Sequence, residues 1–454
     1  MLGEVAAAVR GELKGGDRRR LVRRVTTDSR DVGAGDLFVC LEGPRFDGHD
    51  FAARALAAGA AAVLAHRDLP GVRPLVAVQD TLAALGALGR HVREQAADAL
   101  VVGVTGTNGK TTTKELCAAA LSARWPTVAS RRSFNNNIGV PLTLLQATAE
   151  TRAIVVEMGT NHPGEIGQLA ALVRPDVGII TNIQHGHLQG LGSLDGVRKE
   201  KASLLDGLQG RQVAILNRDD PSWDYLARRA PGPVISFGLS SAADVRATDV
   251  RCDGKGTRFL VGGQLEVSLQ LLGRHTVSNA LAAIACACVA GVDQRAAAAA
   301  LAKVEPVSGR LAVRRLGGIT VIDDTYNANP GSLAAALTTL ADLQLPGRVV
   351  IVVGDMLELG GDAAALHRAA GTKLAAARPG LVLAVGEHGE HLVAGALESG
   401  LPAAMLQHLR TTDEAAAFLA AELRDGDVVL LKASRGIALD RLVSRLVDVT
   451  ARVA

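Results

Sequence analysis

The segment that most restricts how this chain can fold is Val101-Val102-Gly103-Val104-Thr105-Gly106-Thr107-Asn108-Gly109-Lys110-Thr111-Thr112-Thr113. It reads as a buried strand from Leu100 to Thr105, a glycine turn, and a helix running from Lys110 to Ser122. Glycines at such a turn let backbone N–H groups converge on phosphate oxygens, and the helix N-terminus adds partial positive charge. In that reading Lys110 neutralises terminal phosphates and Thr111 reaches magnesium. The standard loop is only partly matched, because Val104 occupies the position of its first glycine while Gly106, Gly109, Lys110 and Thr111 remain. A plain glycine-rich turn with a surface lysine is the bland alternative, and the flanking strand and helix weigh against it.

The surroundings extend the same pattern. Ala153 to Glu157 and Val177 to Ile183 read as apolar strands, with a helix over Glu165 to Val173 between them. Continuous apolar strands alternating with helices predict a parallel sheet covered on both faces. Before Ala99 lies a smaller α/β unit with strands Leu37 to Leu41, Ala61 to Ala65 and Pro74 to Val78, and a helix Phe51 to Ala58. The glycine-containing stretch Arg211 to Gly273 is less regular and leads into helices Val277 to Ala290 and Gln294 to Lys303. After Pro306 four apolar strands, Ile319 to Asp323, Arg348 to Val353, Leu381 to Val385 and Asp427 to Leu431, predict a doubly wound unit with functional loops at their carboxyl ends. No GxGxxG occurs, so no dinucleotide site is inferred.

The length of 454 residues is about three times a roughly 150-residue domain, which fits two or three such units. Lys and Arg number 49 against 46 Asp and Glu, so the net charge of +3 argues against a dedicated polyanion binder. Aromatics are 2%, too few to build stacked nucleic-acid platforms. The most apolar run, Ala280 to Val292, ends at Asp293 and is short for a membrane span, so a buried helix is expected. The N-terminal stretch has no apolar signal region. Cys40, Cys117, Cys252, Cys286 and Cys288 include no CxxC pair and read as reduced, packed thiols of a cytoplasmic protein.

Other candidate residues sit at strand ends. Glu157 closes the strand beside the phosphate loop, where a carboxylate serves as a direct or outer magnesium ligand, or is simply solvated. His185 and His187 follow the next strand, with Lys199 and Lys201 downstream; loop hydrogen bonding and solvation are the ordinary alternatives. Asp323-Asp324-Thr325-Tyr326-Asn327-Ala328-Asn329-Pro330 follows the first strand of the last unit and is more polar than a plain turn requires.

Together these residues resemble the Mur ligases. The resemblance is carried by Thr105 to Thr112, Asn135-Asn136-Asn137-Ile138-Gly139-Val140-Pro141, Glu157, His187, Lys201, Gly273-Arg274-His275, Ser278-Asn279-Ala280-Leu281-Ala282-Ala283 and Asp324 to Pro330. It extends from Asp28-Ser29-Arg30 and Phe46-Asp47-Gly48-His49 to Lys432-Ala433-Ser434-Arg435. It implies an α/β protein of three domains: a small uridine-nucleotide domain over 1–98, a central P-loop ATPase domain with a mainly parallel sheet over 99–309, and a Rossmann-like doubly wound domain over 310–454.

The Asn-Asn-x-Ile-Gly-Val-Pro and Tyr-Asn-Ala-Asn-Pro segments point to the branch that adds D-alanyl-D-alanine to UDP-N-acetylmuramoyl-tripeptide, using ATP and Mg2+ through an acyl phosphate. On that resemblance, Thr105, Gly106, Thr107, Asn108, Gly109, Lys110, Thr111 and Thr112 hold the phosphates, and Asn279, Arg310 and Asp324 surround the adenosine. Thr111 and Glu157 hold one magnesium, and His187 and a carbamylated Lys201 hold a second. Ser29, Arg30, Asp47, His49, Asn135, Asn136, Tyr326, Asn327, Asn329, Ser434 and Arg435 fall where the other substrates bind.

Thr276, Gln189, Ser203 and Ala433 depart from the family pattern without removing an assigned ligand. A monomer acting in the cytoplasm on small molecules, with no nucleic-acid or membrane partner, is the expectation. The alternatives are a folylpolyglutamate-synthase-type ligase and a non-catalytic nucleotide-binding switch on the same fold.

Overall fold

In the computed structural model, residues 1–453 are described, with side chains described through residue 446. Three sheets organise the chain, and all of them are built mainly from parallel strands.

The first sheet has the order Glu12–Lys14, Leu75–Ala77, Ala62–Ala65, Leu37–Val39, Val25–Thr26. Only its first pair is antiparallel. Alternate residues of one strand feed opposite cores: Leu37 and Val39 pack with Leu2, Leu85 and Leu88, whereas Phe38 and Cys40 pack with Ala55 and Val63. The helix Thr81–Gln95 that covers one face starts at Asp80, whose carboxylate accepts from Leu82 N at 2.7 Å and Ala83 N at 3.0 Å.

The central sheet has nine strands, and Leu100–Thr105 lies between Ala153–Glu157 and Val177–Ile180. On one face Val102 and Val104 meet Leu116, Ala120, Leu281 and Cys286 of helices Lys110–Ser122 and His275–Val289. On the other, Val101, Ile154 and Val156 meet Leu169 and Leu204 of helices Glu165–Val173 and Leu194–Asp206. The alanine-rich run beginning at Ala280 is a buried helix, as its length suggests.

The irregular stretch proves to be five strands and one short helix, Trp223–Arg229. Val213–Asn217 and Val234–Gly238 extend the parallel sheet, and Val245–Asp253, Gly256–Val261 and Leu265–Leu269 form an antiparallel edge. Gly262 and Gly263, with φ +58° and +73°, make the last hairpin turn, which explains why glycines interrupt a region that is nevertheless sheet.

The third sheet runs Ala312–Leu316, Ile319–Asp324, Val428–Lys432, Val349–Gly354, Leu381–Val385, Leu406–Leu409. The four apolar strands expected from sequence form its interior. The two added edge strands carry exposed or half-buried polar residues such as Arg314, Arg315 and His408, so apolar patterning does not reveal them.

Candidate active site

Parallel register sets Val104 beside Glu157 and Thr105 beside Ile180, so three strands deliver their carboxyl ends to one edge. There Thr111 Oγ1 donates to Glu157 Oε2 at 2.8 Å and Asn135 Nδ2 donates to Glu157 Oε1 at 2.8 Å. Gly106 and Gly109 have φ of +139° and +81°. A Cβ would stand 2.0 Å from Thr181 Oγ1 at Gly106 and 2.4 Å from Asn279 Oδ1 at Gly109, so the loop closes only with glycine at both. Lys110 Nζ donates back to the carbonyls of Gly106, at 2.9 Å, and Thr107, at 3.0 Å. Desolvation and the nearby Arg310 lower its pKa, against the opposing pull of Glu157.

Beneath this edge, helix Leu194–Asp206 buries two adjacent charged residues differently. Glu200 accepts from Gly164 N at 2.7 Å and Ile166 N at 2.8 Å, capping the start of helix Glu165–Val173. Lys201 is completely buried and its Nζ has no hydrogen-bond partner. Burial, reinforced by Lys110, holds its pKa well below the usual lysine value even though Glu200 and Glu157 oppose the shift. The structure also divides the paired candidates: His185 is exposed and Lys199 bonds Asp195 at 2.8 Å in solvent, whereas His187 lines the cleft.

The third domain supplies the opposite wall. Asp324 and Lys432 are register partners on adjacent parallel strands, and Lys432 Nζ lies 2.5 Å from Asp324 Oδ2 while also donating to Asn327 O at 3.1 Å. Burial raises the Asp324 pKa, and Lys432 and Arg310 oppose that rise. Arg310 donates to Thr111 Oγ1 at 2.8 Å, and its guanidinium sits 4.3 Å from the Tyr326 ring centroid. Arg435 approaches the same ring at 5.7 Å. Asn108 and Asn329 exchange amide hydrogen bonds at 3.1 and 2.8 Å across the domain boundary. Ser434 Oγ accepts from Leu357 N at 2.8 Å and donates to Ala328 O at 3.2 Å.

These walls enclose a cleft of about 1010 Å³. Among the expected residues, Thr107 through Thr112, Asn135, Asn136, Glu157, His187, Asn279, Arg310, Asp324, Tyr326, Asn327, Ser434 and Arg435 line it. Thr105, Gly106, Lys201 and Asn329 do not line it; all four are buried. Asn136 also accepts from Ile138 N and Gly139 N, at 3.2 and 2.9 Å, which starts the short helix Gly139–Leu144.

Ser29, Arg30, Asp47 and His49 belong to the first domain and do not line the cleft. Arg30 makes a bidentate pair with Asp28, at 2.9 and 2.7 Å. Asp47 accepts from His49 N at 2.9 Å and Arg67 at 2.6 Å and lies 2.6 Å from His49 Nδ1, which holds its carboxyl down at about 2. A smaller hollow of about 300 Å³, bordered by His66, Glu42 and Gln79, lies next to the main cleft and shares Asp80 and Leu82 with it. Arg67, Ser133 and Glu358 enter these networks without having been singled out from sequence, and Lys432 is named there only within the Lys432-Ala433-Ser434-Arg435 segment, without a site role. Lys432 had a readable signal, a charge ending an apolar strand; Arg67 and Glu358 had none.

Among the described residues no three His, Cys, Asp or Glu side chains form a ready metal cage. Thr111 and Glu157 instead offer a sparse oxygen set at a phosphate loop, which suits magnesium, a cation that keeps water and shares phosphate oxygens.

Comparison with known proteins accounts for this arrangement. Family descriptions match in chain order: "Mur ligase family, catalytic domain" over 21–93, "Mur ligase middle domain" over 104–287, and "Mur ligase, glutamate ligase domain" over 309–435. The UDP-N-acetylmuramoyl-tripeptide–D-alanyl-D-alanine ligase of Escherichia coli K12 is 38% identical over 453 residues, covering 98% of both chains.

The chain belongs to the Mur ligase family.

Solved Mur ligases share its fold from end to end. A crystal structure of MurF from Acinetobacter baumannii has a TM-score of 0.89 at 32% identity, covering 99% of this chain and 98% of that one. A MurF ligase from Thermotoga maritima in complex with ADP has a TM-score of 0.82 at 28% identity, covering 96% of this chain and 100% of that one.

Proposed function

We infer that this Mur ligase joins D-alanyl-D-alanine to UDP-N-acetylmuramoyl-tripeptide, converting ATP to ADP and phosphate and giving UDP-N-acetylmuramoyl-pentapeptide for peptidoglycan. The carrying observation is the single cleft that Lys110, Thr111 and Glu157 share with Arg310 and Asp324, in a chain similar over 98% of its length to a ligase of that name. The γ-phosphoryl group passes to the tripeptide carboxylate, forming an acyl phosphate. The amine of D-alanyl-D-alanine then attacks the acyl carbon, and the C–O bond to phosphate breaks as the amide forms.

In this reading the chain mostly positions groups and neutralises charge. The loop amides from Thr105 to Thr112 and the Lys110 ammonium hold the phosphates, while Asn279, Arg310 and Asp324 hold the adenosine, Asp324 accepting from ribose hydroxyls. Thr111 and Glu157 hold one magnesium; His187 and Lys201 hold a second. Magnesium supplies neutralisation of the charge that develops on the phosphoryl oxygens.

Lys201 serves as a ligand once its amine has taken up carbon dioxide, forming an N–C bond and releasing a proton to leave an anionic carbamate. Its buried, unpartnered Nζ and lowered pKa support that role, because the reaction needs the uncharged amine. Asn135, Asn136, Tyr326, Asn327, Asn329, Ser434 and Arg435 position the acyl substrate and its acceptor, and Ser29, Arg30, Asp47 and His49 the uridine nucleotide.

The reading divides the chain into domains at 1–98, 99–309 and 310–454, and has it act as a cytoplasmic monomer without nucleic-acid or membrane partners. No described helix is long and apolar enough to cross a membrane. The separate N-terminal family match over 21–93 weighs against a folylpolyglutamate-type ligase.

The test is phosphate release from ATP with the two substrates added singly and together. Release only with both supports the ligase; release with a folate and glutamate, or none under any condition, rejects it.

A further inference from the structure

The segment following strand Val349–Gly354 crosses from the third domain to the beginning of helix Leu188–Leu191 in the central domain. There Glu358 Oε2 lies 2.6 Å from His187 Nδ1, and Glu358 O accepts from Gln189 N at 2.9 Å. His187 has φ +56° and Glu358 φ +63°. Both are left-handed conformations that residues with a Cβ seldom adopt, so the two backbones are bent locally where their side chains meet. Both side chains border the cleft.

The contact fixes more than position. A carboxylate can only accept, whereas a neutral imidazole has one donor nitrogen and one acceptor nitrogen. Pairing with Glu358 therefore places the proton on Nδ1 and leaves the Nε2 lone pair free. A carboxylate that holds one imidazole nitrogen in this way sets ring orientation and makes the other nitrogen a better cation ligand.

We propose that Glu358 is a positioning residue that sets the His187 tautomer, so that the third domain completes a divalent-cation site belonging to the central domain. The proposal rests on the reading of His187 as a cation ligand. It also makes cation binding and docking of the third domain reciprocal, since whatever favours one favours the other.

The test is Mn2+ binding to the full chain with a non-hydrolysable ATP analogue, followed by electron paramagnetic resonance, with thermal unfolding as a check on folding. In Glu358→Ala the weaker of two Mn2+ sites should lose roughly 10- to 100-fold in affinity. Glu358→Gln should restore most of it, because the amide carbonyl still accepts from Nδ1–H. Unchanged or tighter binding in Glu358→Ala overturns the proposal and leaves a simple interdomain contact. Equal losses in Glu358→Ala and Glu358→Gln overturn it as well. His187→Ala separates the two claims: if it keeps both sites, His187 is not a ligand and the underlying reading fails; if it loses one while Glu358→Ala keeps both, only the role of Glu358 falls.

Discussion

The two walls of the cleft are built in opposite ways. The phosphate-loop wall comes from one short stretch, a strand, a glycine turn and a helix start, to which a neighbouring strand adds Glu157 and the loop before helix Gly139–Leu144 adds Asn135. The wall from the third domain is assembled at a distance: Asp324 meets Lys432, Asn329 meets Asn108, and Glu358 meets His187. Local geometry builds the first, so its residues are free to serve chemistry with little load on the fold. Tertiary packing builds the second, so its residues couple function to stability or to domain docking.

The largest expected effect tests the first wall. Lys110→Ala should lower kcat for phosphate release by roughly 10²- to 10³-fold. Its denaturant midpoint should stay near that of the parent protein, since the ammonium bonds only to loop carbonyls. A comparable fall in stability would erase the contrast between the walls.

Lys432→Met tests the second wall and should cost about 3 kcal/mol in urea unfolding, because a largely buried Asp324 carboxylate loses its cation. The sign with pH follows from the raised pKa of Asp324, which goes higher without Lys432. A carboxyl whose folded pKa is raised keeps its stability below the unfolded value, near 3.8, and loses it as pH climbs through the folded value. The deficit of the variant should therefore widen as pH rises above the unfolded value and level off once pH has passed the variant's own raised value, and an Asp324→Asn, Lys432→Met double variant should be less affected.

A smaller effect, opposite in sign, is expected for Lys201→Met in metal-free buffer depleted of carbon dioxide. Removing a buried amine that has no partner should raise stability by about 1–3 kcal/mol. A loss would mean that Lys201 supports the fold and is not held there for function.

The smallest effect sharpens the boundary itself. A double-mutant cycle on Asn108→Ala and Asn329→Ala, read in kcat/KM for ATP, should give a coupling of about 1 kcal/mol. Strict additivity would show that the reciprocal amide pair does not bring the walls together during turnover.

What was legible in the sequence follows the same divide. Gly106, Gly109, Lys110 and Thr111 could be read because a phosphate loop is a local pattern with local requirements. Glu157 and His187 were narrowed to strand ends by apolar runs, yet periodicity did not separate His187 from His185 or Lys201 from Lys199. The edge strand Ala312–Leu316 stayed hidden because exposed polar residues carry no apolar signature. Arg67 and Glu358 lie in ordinary loops, and nothing in their neighbours in sequence marks them.

The sequence by itself determined the α/β character, the phosphate loop and, through motifs spread along its length, the family. Only the tertiary structure decided which charges are buried and who partners whom. Burial and pairing depend on register between strands and contact between domains: Asp324 and Lys432 become neighbours because their strands align, and Lys201 is stripped of water because the folded chain buries its amine completely. Those are properties of long-range packing, which no short window of residues contains.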